Sequence, residues 1–108
     1  MKIQLVAKKE LHYEEIKNLG VPDRWNENDM FEMSENENTI VFQPVAPNSA
    51  GTKCDINLQK NERYGVYTIC SQDNEIVLFI KTNKQIVLLF RSEVNGPLYL
   101  FLLFEKHE

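Results

Sequence analysis

Three stretches near the C-terminus, residues 76–80, 86–90 and 98–104, are apolar at odd and even positions alike. A β-strand turns successive side chains to opposite faces, so a strand of this kind must be covered on both sides or leave an aggregation-prone surface. The stretches are rich in Val, Ile, Leu and Phe and are bounded by turn residues, notably Thr82-Asn83-Lys84 and Val94-Asn95-Gly96-Pro97. With Gln72-Asp73-Asn74 read as another turn, residues 54–58, 64–71, 75–81, 85–91 and 98–105 become five successive strands joined as an antiparallel meander. The N-terminal elements can close one face of this meander. The other needs barrel closure, a second sheet or another subunit, so a compact barrel or sandwich is the first expectation and a homodimer the second.

Residues 2–8 alternate loosely, with Ile3, Leu5 and Ala7 on one face, and predict a first strand. Residues 10–19 put His12, Ile16 and Leu19 at helical spacing, with Glu14 and Glu15 early, Lys17 late, and Gly20 and Pro22 beyond, which predicts one short helix. Residues 30–33 and 39–45 suit a hairpin across Ser34-Glu35-Asn36-Glu37-Asn38, with Pro44 setting the second strand at an edge or ending it. Residues 46–53 read as an exposed loop. The fold class expected is therefore α+β and mostly β: an antiparallel meander forming a small barrel or sandwich, with one short N-terminal helix, over residues 1–108 as a single domain.

Sixteen acidic against twelve basic side chains, a net charge of −4, argue against nucleic acid as partner, because backbone binding draws its affinity from clustered Lys and Arg. Lys8-Lys9 is the only adjacent basic pair, and no basic amphipathic helix surrounds it to anchor a membrane surface. The longest fully apolar run, residues 98–104, is far short of the ~20 residues of a spanning helix. The first residues lack the apolar core and cleavage pattern of a secretory signal, so a cytoplasmic location is expected. Cys54 and Cys70 lack CxxC spacing and are expected as free thiols.

Chemistry-bearing patterns are sparse. The histidines are His12 and His107, too few for a multi-His metal site. Ala50-Gly51-Thr52-Lys53 lacks the first Gly of a phosphate loop and has Thr and Lys in the wrong order, and no stretch has the alternating oxygens of a calcium loop. No catalytic residue, metal or cofactor is therefore expected.

One segment stands out. Between residues 23 and 38, Asp23, Glu27, Asp29, Glu32, Glu35 and Glu37 surround Trp25, Met30, Phe31 and Met33 against the single Arg24. Aromatic anchors with an acidic rim suit a basic protein partner, which selects Trp25, Glu27, Asp29, Met30, Phe31, Glu32 and Glu35 as contact residues. The competing reading has the apolar members closing one end of the core while the carboxylates solvate a loop. The function expected is a non-catalytic protein-binding module, in its specific form an inhibitor or immunity-type regulator of a basic protein. A barrel carrying a small apolar ligand is the alternative.

Overall fold

The computed structural model describes residues 1–10, 25–45, 55–61, 66–69, 72–91 and 98–107. Among these residues eight strands follow in order: β1 Lys2–Glu10, β2 Met30–Glu35, β3 Thr39–Pro44, β4 Ile56–Asn61, β5 Val66–Ile69, β6 Gln72–Lys81, β7 Gln85–Arg91 and β8 Leu98–Lys106. Each pairs antiparallel with its sequence neighbours, and β8 returns to β1, so the sheet closes into a barrel. Closure satisfies the backbone groups that an open sheet would leave along its two edges. β1, β3, β5 and β7 end at one rim. The even-numbered strands end at the other, beside the N-terminus.

One face of β1 to β4 and of β6 to β8 fills the interior. Ile3 and Leu5 of β1, Phe31 of β2, Phe42 of β3, Leu58 of β4, Val77 of β6, Ile86, Leu88 and Phe90 of β7 and Leu100, Leu102 and Phe104 of β8 are fully shielded from solvent. At the centre Trp25 joins three phenylalanines. Its ring lies 4.5 Å from Phe31, 6.0 Å from Phe42 and 6.3 Å edge-on to Phe104, and Phe42 and Phe104 meet across the barrel at 5.4 Å. These tilted and edge-on arrangements suit the ring quadrupoles and add to the burial of a large apolar area.

Trp25 is held by the turn that leads into β2. Leu5 N donates to Asp29 O at 2.9 Å and Asn28 N to Leu5 O at 2.7 Å, which extends the β1 and β2 ladder beyond the strand itself. Asn28 sits at φ 77°, a left-handed conformation that Asn tolerates better than most residues. The buried Asp29 accepts from Asn26 N at 2.8 Å, a carboxylate bonding its own turn.

The expected α+β class with a barrel or sandwich and a short N-terminal helix is corrected to a closed antiparallel barrel, with no helix among the described residues. Glu10, read as the start of that helix, ends β1 opposite Leu100, because the nine-residue β8 supplies ladder partners well beyond Lys8. The remainder of the predicted helix lies outside the described residues, as does the loop expected at 46–53. Gln72-Asp73-Asn74, read as a turn, instead opens β6, with Ile69 opposite Gln72. The hairpin of β2 and β3 forms as expected, except that Ser34 and Glu35, read as turn residues, extend β2 opposite Val41 and Ile40, and Pro44 ends β3.

At the rim near the N-terminus the inward positions become polar. Glu35, the last residue of β2, and Lys81, the last of β6, belong to strands half a barrel apart and meet at 2.6 Å across the opening. Both side chains are 37% exposed, so water screens the pair. Lys81→Met is expected to lower stability by less than about 1 kcal/mol, read as a shift in the urea midpoint at constant slope. A loss several times larger would show that the pair holds the barrel end closed.

Candidate functional site

The acidic segment and the two-faced strands end up on different parts of the barrel. In the acidic segment, Trp25 and Phe31 are fully shielded inside, Met33 is 3% exposed and Asp29 8% exposed, while Met30 is half-buried. Glu27, Glu35 and Glu37 are exposed, and Glu32 is partly so. Of the seven contact residues expected from sequence, the structure therefore leaves Glu27, Glu32 and Glu35 at the surface and Met30 half-buried, and withdraws Asp29 and the two aromatic rings.

Several of these carboxylates have bonding partners. Glu32 Oε1 accepts from the Met1 amino group at 2.7 Å, and Glu35 holds Lys81. Glu27 Oε1 accepts from Lys8 N at 3.4 Å. Glu37 lies in the exposed β2 and β3 turn. Asp55, just before β4, accepts from Gln43 Nε2 at 3.4 Å. Among the described residues from 25 to 61, Lys60 is the one cationic side chain.

On the other side lie the outward positions of β6, β7, β8 and β1. Register sets Ile80 opposite Val87, Val87 opposite Leu103 and Leu103 opposite Ala7. The next row runs Leu78, Leu89, Phe101 and Lys9. Leu78 and Ile80 are 41% and 42% exposed, and the rest of both rows is half-buried except the exposed Lys9. Sequence reasoning found the apolarity of both strand faces but not the wall that stays uncovered, because that depends on which strands the closed sheet brings side by side.

Among the described residues are two open depressions. One, of about 660 Å³, lies over the turn between β6 and β7 and is lined by Thr82, Asn83, Lys84, Gln85, Glu105 and Lys106. The other, of about 500 Å³, is lined by Lys8, Glu10, Asn26 and Glu27. It arises from a bulge at Val6, after which Lys8 stands opposite Leu102 and Glu10 opposite Leu100 on the inward side of β1. Lys8 Nζ donates to Trp25 O at 3.0 Å, so the amine closes the polar end of the tryptophan site. Among the described residues no group of three His, Cys, Asp or Glu side chains is placed to hold a metal ion. His12, Cys54 and Cys70 lie outside the described residues.

No family model, no curated protein and no solved structure matches this chain.

Proposed function

We propose that the chain is a small non-catalytic protein-binding module that receives a basic partner on the acidic wall formed by β2, β3 and the start of β4. The observation that carries this reading is a line of exposed or partly exposed carboxylates along β2, from Glu27 before it through Glu32 to Glu37 in the β2 and β3 turn, with Asp55 just before β4, over interior side chains that are fully shielded. Interior side chains with no exposure leave no water-sized space against them, since any such void would expose its lining. This weighs against the ligand-carrier alternative for the part of the barrel they line. Steering by the acidic wall speeds encounter with a positive surface, which suits a regulator or inhibitor that must reach its target quickly.

Trp25 and Phe31 act here by holding the turn and β2 rigid rather than by touching the partner. Rigid presentation lowers the ordering cost of binding. The experiment is affinity capture from a lysate of the encoding cells with the wild type and with Glu27→Lys, Glu37→Lys, two positions away from the ion pairs that Glu32 and Glu35 make within the barrel. The expected result is a basic protein retained by the wild type, released by raised salt and lost by the charge-reversed chain. An unchanged set of captured proteins with unchanged salt dependence would sink the proposal.

A further inference from the structure

We infer that the outer wall of β6, β7, β8 and β1 is covered by a second copy of this chain, in a two-fold dimer whose axis lies in the interface and runs across the strands. The inference rests on a different wall from the proposed function and stands or falls separately.

Three arguments select a second copy. The first is shape: a regular aliphatic sheet face packs best against another sheet face, at about 10 Å with interdigitating side chains. This chain carries such a face in Ile80, Val87, Leu103 and Ala7 beside Leu78, Leu89 and Phe101.

The second is area. Four strands about 4.8 Å apart, over the two outward rows at about 6.8 Å per row, give an apolar centre of roughly 250 Å². A stable interface buries about 800 Å² per partner, with an apolar centre inside a polar rim. Gln4, Lys9, Gln85 and Glu105 border the apolar rows and supply such a rim. The barrel, 36 × 32 × 23 Å overall, is broad enough to present it.

The third is charge. Lys9 stands beside Phe101 at one end of the patch and Glu105 beside Gln4 at the other, and both side chains are exposed. A two-fold across the strands at the level of Leu103 reverses strand direction. It carries Glu105 of each copy to the level of Lys9 of the other, one strand spacing aside and within reach across sheets about 10 Å apart. A two-fold along the strands would instead set Glu105 against Glu105. The acidic wall of β2 to β4 lies on the far side of the barrel, so the −4 charge of each copy opposes association only weakly.

The test is sedimentation of the full chain over a dilution series. The wild type is expected at twice the 12.7 kDa chain mass. Leu78→Glu and Ile80→Glu, both at exposed positions and checked for folding by circular dichroism, are each expected to weaken self-association by more than about tenfold, because symmetry enters each substitution twice. Glu105→Lys and Lys9→Glu should each weaken it, and the double reversal should restore it. A 12.7 kDa species at every concentration, or a dimer indifferent to both Glu substitutions, overturns the inference, as does a monomer that uses Leu78 and Ile80 to bind some other protein. A double reversal that fails to restore association overturns the axis across the strands. Capture of a basic protein by a monomeric chain would leave the proposed function standing while this inference fails.

Discussion

Trp25→Ala is expected to remove about 3–5 kcal/mol of folding stability, the range for truncating a fully buried aromatic side chain. Trp25 has no exposed surface and touches Phe31, Phe42 and Phe104, side chains from three different strands. Those rings are anchored in ladders that cannot collapse inward, so most of the vacated space remains as a void and the cost lies toward the upper end. Against a total of about 5–15 kcal/mol for a native protein this is a large fraction. Urea denaturation followed by circular dichroism reads it as a lower midpoint with unchanged slope. A change below about 1 kcal/mol would mean that the ring is not a core element, and it would return Trp25 to the list of contact residues.

A second substitution is expected to cost more. Leu88→Asp puts a carboxylate between Phe79 of β6 and Leu102 of β8, at a position with no exposure. Both cross-strand neighbours are apolar and offer the new carboxylate no hydrogen bond. Burying an unpaired charge exceeds the few kcal/mol that a core cavity costs, so the chain is expected to be largely unfolded at neutral pH. Leu78→Asp is the control on the outer wall. At 41% exposure it keeps its new charge in water and should change the stability of the dilute protein by less than about 1 kcal/mol. Circular dichroism and urea titration of the pair separate the two faces of the sheet. Equal destabilisation by both would contradict the inside and outside assigned to these strands.

These contrasts show how far local pattern reaches. β7 was legible with its bounds, because Gln85, Ile86, Val87, Leu88, Leu89, Phe90 and Arg91 form an apolar run between a turn and a charge. The β2 and β3 hairpin was legible for the same reason, its Asn-rich turn lying between two short runs. Gln72, Asp73 and Asn74 misled the reading because their composition favours turns, whereas pairing with β5 draws Gln72 into the start of β6. Glu10 misled it as well, since β8 has length enough to pair with it. Propensity is a local quantity, and a strand's length is set by what lies across the ladder.

The amino-acid sequence by itself determined that most of this chain would be antiparallel strands, since side-chain alternation and turn chemistry act within a few residues. It also determined that residues 76–104 hold strands apolar on both faces, which demanded closure or company. Only the tertiary structure decided that closure takes the form of a barrel, and that Trp25 and Phe31 lie inside it while Glu27, Glu32 and Glu35 stay at its surface. It alone placed Glu35 against Lys81, and it alone turned Lys8 and Glu10 inward through the bulge at Val6. The physical reason is that a strand's two faces are chemically equivalent until a partner is chosen. Register and closure make that choice, and they depend on residues far apart in the chain.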